Sequence, residues 1–595
     1  MSPYKHFPLV PTAVASAFFL FAVAAYGVQP FGHFIRKNDP ALPAFTMASM
    51  GTYEGIPGSA FFASMNFPNG AETYPVTGFG YFDQNASFKW AAYLETGPLA
   101  GFYPTMCGPL VGNPAKYFAI YNLPGGKTRL GVGNGSSLAK DFAFEFSHLA
   151  NPDDTTTGLA PGDKIFQLMD EGATLGLVSL NANGNLDISK NYSSPLLLPQ
   201  VGEEEDDPQF AHITNIPDGS GHYITVQNSS NGFSNTFLVI NVDAAGAVRW
   251  ARTFAMTTTG TGSLNHSPAM QAAPDGSYIF TLGESEFDLS NFSYKQKTHL
   301  IKFNANGTKA WASTLSGAAL SVSLYSPNSS DVWLTGSKID AFAQPPSSQP
   351  FVVRLNNATG QVTAEFRPAV SPGLGAMASM IAVNAEAAFF SVRDGNAPTR
   401  SLVAKVPAGS STVQGFVRND TFNNGANFSM RDTTGALSAE FGDGLRVIGY
   451  NPSFQSVIPV CPDYSANSIT FLAPAITAQA LAIDPQATTI TVAARTTTLT
   501  PITLPLHPLA LRIDPYQAAE PPLKLAVTTS RNAAGHLLIG FTAQAGVQYT
   551  LLHSPDLVAP FQPVQTLNGT GAPATFTITD LSAKKGFFKV SDGSP

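Results

Sequence analysis

The chain has 595 residues, enough for two or more domains of ordinary size, and a formal net charge of −8. Only 12% of it is charged, 11% is aromatic, and it holds 43 Phe, 52 Gly and 46 Pro. That balance is the composition of a turn-dense all-β protein. The acidic balance, with no Lys/Arg cluster, argues against nucleic-acid binding, which needs a basic stripe to neutralise phosphate.

Lys5 and His6 precede a long uncharged run, Phe7 to Gln29, whose centre AVASAFFLFAVAA ends in Ala22-Val23-Ala24. A charged start, an apolar centre and an A-x-A end predict a signal peptide over residues 1–24. The competing reading is an uncleaved anchor, since the run is long enough to cross a bilayer. Cleavage leaves no membrane span. Residues 25–75 are interrupted by Pro and Gly and read as an N-terminal entry segment or part of a closing sheet.

From residue 76 to about 500 the chain repeats itself. The clearest copy is Phe237 to Glu286. Phe237 to Val242 is an apolar β-branched run ended by Asp243-Ala244-Ala245-Gly246, a hairpin signal in which Gly246 supplies the φ > 0 position. Val248, Trp250 and Phe254 then alternate with polar residues, as in a half-buried strand. Pro274-Asp275-Gly276 is a second turn before the strand Tyr278 to Leu282.

The first half recurs as LGLVSLNANGNLDI (Leu175 to Ile188), HLIKFNANGTKAW (His299 to Trp311), FVVRLNNATGQVTA (Phe351 to Ala364) and GYFDQNASFKW (Gly80 to Trp90, with Ala86 at the turn). The steps from Gly184 to Gly246, Gly307 and Gly360 are 62, 61 and 53 residues. Trp90, Trp250 and Trp311 all fall four residues after the turn position. A β-only repeat of this length predicts a β-propeller, with seven blades the best count and six to eight compatible. A tryptophan at a fixed repeat position is then expected to wedge between neighbouring blades.

Residues 501–522 read as a Pro-rich linker. Residues 523–595 hold six short strand-like runs, which predict a small C-terminal β-sandwich. The two cysteines, Cys107 and Cys461, fall in the first and last blade regions. In an oxidising compartment they could form a disulfide that locks the ring, or be two separate buried thiols.

The remaining motifs are weak. Glu203 to Asp207 is a run of acids that reads as a solvated loop rather than a calcium site. Asn181 to Asp187 faintly resembles a calcium loop but lacks its terminal Glu, so calcium is the one cofactor in view and weakly so. His212, His222 and His266 form no H-E-x-x-H or H-x-H pair. No G-x-S-x-G, P-loop or CxxC occurs.

The D-x-x-G-x-x-x-W pattern of Asp243 to Trp250, repeated with Asn from Asn304 to Trp311, resembles the blade motif of the quinoprotein-like propellers. That family includes quinone-dependent alcohol dehydrogenases and a non-enzymatic propeller that assists outer-membrane protein assembly. The D-G-x-Y strand after it resembles exported bacterial β-propeller repeat proteins. The resemblance covers roughly residues 76 to 450. Enzymes of that family use an adjacent Cys–Cys pair or a calcium-ligand set beside the quinone, and the Cys pair is absent here. The tail, with YTLLHSPD (Tyr549 to Asp556), looks like small C-terminal domains of large exported bacterial proteins.

The expected function is a secreted or cell-surface binding scaffold that recognises a protein or polysaccharide through loop faces. The alternatives are an exported carbohydrate-active enzyme with carboxylates at the channel mouth, and a quinone-linked oxidoreductase.

Overall fold

A computed structural model describes residues 32–36, 46–53, 59–69, 72–82, 88–95, 105–149, 155–171, 173–197, 210–229, 234–257, 263–266, 272–273, 275–288, 293–316, 322–325, 330–340, 347–368, 377–383, 387–393, 401–407, 409–411, 413, 415–419, 427–430, 436–441, 444–449, 464–465, 471–509, 513–515, 528–543, 548–554, 562–579 and 587–591. These residues are all-β apart from one short 3-10 turn, Pro195–Leu197. They split into two compact units, residues 1–458 with 463–516, and residues 459–462 with 517–595.

The larger unit holds eight five-stranded antiparallel sheets among the described residues, where the repeat spacing predicts seven. Sheet 1 starts the series with Thr46–Tyr53, Ser59–Asn69, Glu72–Phe82 and Phe88–Leu94. Strands of the stretch predicted as an entry segment, Thr46–Tyr53, Ser59–Asn69 and the start of Glu72–Phe82, therefore belong to a full sheet. Its second strand carries Phe61, Phe62 and Met65 but lacks the D-G turn that marks the later copies. Sheets 2 to 7 follow as meanders of four strands each, and sheet 8 has three, Asn427–Met430, Ala436–Phe441 and Gly444–Gly449. Its fourth strand is the N-terminal Gly32–Arg36, paired with 444–448 in reverse order.

Consecutive sheets share cores. Tyr81, Trp90, Cys107 and Tyr117 pack between sheets 1 and 2. Phe237, Trp250, Phe280 and Phe303 pack between sheets 4 and 5. The first strand of sheet 1 touches sheet 8, so the series closes on itself. First strands of neighbouring sheets touch each other, as Thr155–Ala160 does Phe210–Asn215, and so lie at the centre of the circle.

The stretch 464–515 runs once around the rim. It visits sheets 7, 6, 5, 4, 3, 2, 1 and 8 in that order, and lays a fifth, antiparallel strand on each: Tyr464–Ser465, Phe471–Leu472, Thr477–Ala480, Gln486–Ala487, Thr491–Ala494, Thr500–Pro501, Leu506–Pro508 and Ile513–Pro515. The predicted linker 501–522 thus supplies rim strands, and residues 490–500, expected to belong to the repeat region, are part of the same strap. The prolines had a second meaning. Pro501, Pro508 and Pro515 each end an outermost strand, the one place in a sheet where a missing N–H costs no ladder bond.

The strap is held by packing and by charge. Leu504 fills the gap between sheets 1 and 2, Ile490 between 3 and 4, and Ile476 between 5 and 6. Each such burial is worth about 1.5 to 3 kcal/mol. Arg495 reaches back 324 residues to Glu171, with Nη1–Oε2 at 2.7 Å and Nη2–Oε1 at 2.9 Å. Both side chains are buried, at 9% and 2% exposure. Burial pushes the Glu171 carboxyl up, but hydrogen bonds from Arg495 and from the Leu149 N–H outweigh it, and its pKa lies below the ordinary value. Ala475 and Ile476 N–H groups donate to Glu365 Oε2, both at 2.8 Å.

A second device joins sheet to sheet. Trp250, on the fourth strand of sheet 4, donates from Nε1 to Ala305 O at 2.8 Å in the last turn of sheet 5. Gly307 in that turn has φ +80, and a Cβ there would meet the Trp250 ring at 2.6 Å. Glycine is therefore required twice, for the backbone and for the space. Trp311 repeats the contact on sheet 6, donating to Asn357 O at 2.8 Å beneath Gly360. Trp90 donates to Pro114 O at 3.0 Å, and its ring lies against Gly135. At the same position Phe142 lies against Gly184, and Ile188 against Gly246. In sheet 4 the turn itself is tied by Asp243, whose Oδ1 accepts the N–H groups of Ala245 and Ala247 at 2.9 and 2.8 Å.

In the smaller unit two three-stranded sheets, one of Thr528–Arg531, Leu537–Thr542 and Pro573–Ile578, the other of Gln562–Asn568, Gln548–Ser554 and Phe587–Ser591, bury one core. Phe541, Tyr549, Leu551 and Phe576 form it. The number of strands matches the six runs read from the sequence.

Two outcomes follow for stability. Gly307→Ala should cost about 2 to 4 kcal/mol in urea unfolding, from left-handed strain and overpacking against Trp250. Gly409→Ala, at φ +72 with nothing within 4 Å, should cost only the backbone term of about 1 to 2 kcal/mol. Equal losses would mean that the tryptophan contact sets nothing. Removing one partner of the rim clamp, as Glu171→Ala, should cost about 3 to 5 kcal/mol and open the strap to limited proteolysis. The double change Glu171→Met with Arg495→Met should recover most of that loss, because no charge is then left buried alone.

Candidate functional site

The centre of the circle is where a ligand could be enclosed, and its wall is built from the eight first strands. They read TMASMGTY, TMCGP, TTTGLA, FAHITN, SLNH, VSLY, MASMIAV and NFSM. None of these eight strands contains Asp, Glu, Lys or Arg. Hydroxyl-bearing and small residues dominate, with methionine as the main large side chain and His212 and His266 as the two imidazoles. A pair of carboxylates for acid–base hydrolysis is therefore not carried on these strands.

Charge is placed further out, within sheets. The tightest titratable group is in sheet 5. Glu284 lies on its second strand, Tyr278–Asp288, and Lys297 and His299 on its third, Ser293–Phe303. Antiparallel register sets Glu284 opposite Lys297 and His299 opposite Leu282, and His299 also pairs with Thr314 on the fourth strand. Glu284 Oε2 is 2.8 Å from His299 Nε2, and Oε1 accepts from Lys297 Nζ at 3.1 Å. His299 Nδ1 is 2.9 Å from Thr314 Oγ1.

Acid, imidazole and hydroxyl thus form a line across three strands, the order of groups in a nucleophilic relay. The geometry is that of a structural tie instead. His299 is 4% exposed, and Thr314 pairs with Gln479 of the strap on its outer side. The hydrogen bond from His299 holds the Glu284 carboxyl below its ordinary pKa, against burial and with help from Lys297. The residues stand 15 apart in sequence, at 284, 299 and 314. Counting register outward from the hairpin would have found them; no local motif could.

A second buried network joins sheets 2 and 3. Thr128 Oγ1 donates to Asn122 Oδ1 at 2.8 Å and lies 3.0 Å from His148 Nε2. Gln167 Nε2 also donates to Asn122 Oδ1, at 3.0 Å. These bonds satisfy the Asn122 oxygen across the junction, while Gln167 Oε1 is buried without a partner among the described residues.

The residues singled out in the sequence are placed as follows. Asn181 Oδ1 accepts the N–H groups of Asn183 and Asn185 at 3.0 and 3.1 Å, and Asp187 pairs with Lys164 at 2.6 Å. The Asn181 oxygen thus holds the hairpin, and the Asp187 carboxylate ties the fourth strand of sheet 3 to its second. Among the described residues no group of three or more His, Cys, Asp or Glu side chains could hold a metal ion. His222 Nδ1 is 2.8 Å from Asn215 Oδ1, and burial pushes its pKa down to about 4. Cys107 is buried between sheets 1 and 2, where burial pushes its thiol up and makes it a poor nucleophile. Cys461, the acidic run 203–207 and the predicted signal peptide lie outside the described residues.

No family model matches the chain, and no curated protein matches it. Solved structures give distant likenesses. A prolyl endopeptidase structure is 11% identical with a TM-score of 0.31, covering 65% of this chain, which spans about half (54%) of that protein. An apocarotenoid oxygenase of Synechocystis is 14% identical with a TM-score of 0.30, covering 77% of this chain and 96% of that one. A polysaccharide lyase acting on ulvan is 9% identical with a TM-score of 0.25, covering 64% and 92%. Likenesses this remote carry no argument about activity.

The Glu284 tie gives a pH dependence of defined sign. Its carboxyl pKa is lowered in the folded chain, so its stabilisation is complete above the unfolded value of 4.5 and is lost as pH falls through the lowered one. Glu284→Gln should reduce stability at pH 7 and flatten the acid limb of a Tm-against-pH curve. An unchanged acid limb would show that the tie contributes nothing in that window.

Proposed function

We propose that the closed circle of sheets is an eight-bladed β-propeller, that the smaller unit is a β-sandwich, and that the chain is an exported binding scaffold for a neutral polysaccharide or a protein. The observation that carries this reading is the uncharged set of first strands. A wall of Thr, Ser, Gly, Ala and Met without carboxylates suits contact with hydroxyl-rich or apolar surfaces. It does not suit general acid–base chemistry at the wall, where one group must hold and another release a proton. Stability resides in the junctions and the rim strap, which leaves the connecting loops free to vary in chemistry and to recognise a ligand. The smaller unit is read as an attachment module.

The test uses the full-length chain. Neutral and acidic polysaccharides are set in native gels, and the same mixtures are assayed for newly released reducing ends. Retardation by a neutral polysaccharide, or saturable binding to a cell-envelope preparation, is expected, with no product released. Release of sugar ends or unsaturated products would overturn the scaffold reading in favour of an enzyme. Absence of binding to either kind of target would overturn it as well.

A further inference from the structure

One imidazole stands inside the contact between sheets 3 and 4. His222 lies at the start of the second strand of sheet 4 and is 5% exposed. Ile224 and Val226, two and four residues along, pack onto sheet 3, and alternation turns His222 to the same side. There its ring is 5.6 Å from that of Phe166, on the second strand of sheet 3.

The hydrogen bonds fix its tautomer. Leu159 O can only accept, so Asn215 donates to it from Nδ2, at 2.7 Å. That leaves Asn215 Oδ1 as the acceptor, 2.8 Å from His222 Nδ1. The neutral ring therefore carries its proton on Nδ1, and Nε2 is the atom that takes a second proton in acid. The chain from His222 through Asn215 to Leu159 crosses from sheet 4 to sheet 3. It does so at their first strands, Phe210–Asn215 and Thr155–Ala160, which touch at the centre of the circle. At the same end Tyr192 OH of sheet 3 donates to Gly246 O of sheet 4 at 2.8 Å.

A proton on Nε2 arrives in a hostile place. Burial disfavours the charged ring, Lys164 repels it, and together they outweigh the attraction of Asp187, so the pKa falls from an ordinary 6.5 to about 4. Asp187 is itself paired with Lys164 at 2.6 Å. Lys190, opposite Leu177, and Asp170, opposite Leu175, face the junction from elsewhere on sheet 3. On sheet 4, Asp218 accepts from Ser220 N–H, Arg249 donates to Ser220 O, and Asp243 is in register with Gly221. None of these groups bonds the imidazole.

We propose that the contact of sheets 3 and 4 is an acid-sensitive gate in the wall of the circle, loosened when His222 takes a proton on Nε2. The charge is relieved where the ring reaches water, and it reaches water when the two sheets part. The closed contact is fully stable above pH 6.5, weakens as pH falls from there, and loses nothing more below about 4. Within that window the opening constant rises by up to about tenfold per pH unit, the slope of one proton. The inference is independent of the scaffold reading.

The test is hydrogen–deuterium exchange of the full-length chain at pH 7, 6 and 5, corrected for the intrinsic pH dependence of amide exchange. Thr155–Ala160 and Gly221–Ser229 are expected to exchange about tenfold faster at pH 5 than at pH 6, while Lys116–Leu123 of sheet 2 keeps its protection. His222→Gln, which cannot take the proton, should hold both strands at their pH 7 protection. Should that variant fail to fold, exchange at the ring C2 of His222 is titrated in the native chain instead, with a midpoint about one unit or more below 6.5 expected. Protection unchanged between pH 7 and 5, an equal rise in His222→Gln, or a ring midpoint closer to 6.5 than that overturns the proposal.

Discussion

A four-stranded meander of this kind is apolar on both faces, and that constraint organises the larger unit. Neither face can be left to water, so each sheet must be covered twice. A row of sheets would leave its ends uncovered, whereas a closed circle leaves none. The contact that sets the spacing is an aromatic ring against the next sheet's turn, as with Trp250 beneath Gly307 and Trp311 beneath Gly360. The indole N–H groups reach backbone carbonyls of that same turn. Apolar burial and a specific hydrogen bond thus act at one point, and the angle between sheets is fixed where they do.

Closure leaves the outer edges. A fourth strand whose outer side is unpaired would offer its N–H and C=O groups to any other chain. Here the strap covers each with two to four residues, and its own outer edge is broken into pieces too short to template a partner strand. The same residues plug the widening gaps between sheets, because neighbouring sheets diverge toward the rim. Leu504, Ile490 and Ile476 go where the sheets' own side chains no longer meet. Arg495 and Glu171 add a fixed point that apolar contact alone would not specify.

Much of the repeat was legible because its signals are local. A hairpin needs a residue with φ > 0, and Gly184, Gly246, Gly307 and Gly360 mark four such turns in letters that can be aligned. In sheet 2 the turn is hidden, since Leu138 takes φ 55 without a glycine, and Phe142 replaces the tryptophan four residues later. Local turn signals therefore mark fewer sheets than the eight found among the described residues. The strap was illegible for the opposite reason. Its strands pair with partners from 45 to 482 residues away and show no hairpin turn, so neither periodicity nor turn chemistry reports them. The Glu284–His299–Thr314 line was hidden because sheet register, not sequence proximity, brings it together.

The order in which these parts can form follows from their lengths. A meander forms from hairpins closed over a few residues, at small entropic cost. A rim strand of two residues, such as Gln486–Ala487, cannot exist without the edge it pairs with. The strap therefore gains nothing until sheets stand ready for it, and its most distant pairing, Pro515 with His33, spans 482 residues. It visits the sheets in reverse chain order, beginning on sheet 7, next to the last sheet made, and ending against Gly32–Arg36, the strand that closes sheet 8. Both ends of the strap thus lie beside the point of closure. The segment that seals the rim also braces the junction where the first and last sheets meet, the weakest place in any ring assembled from a linear chain.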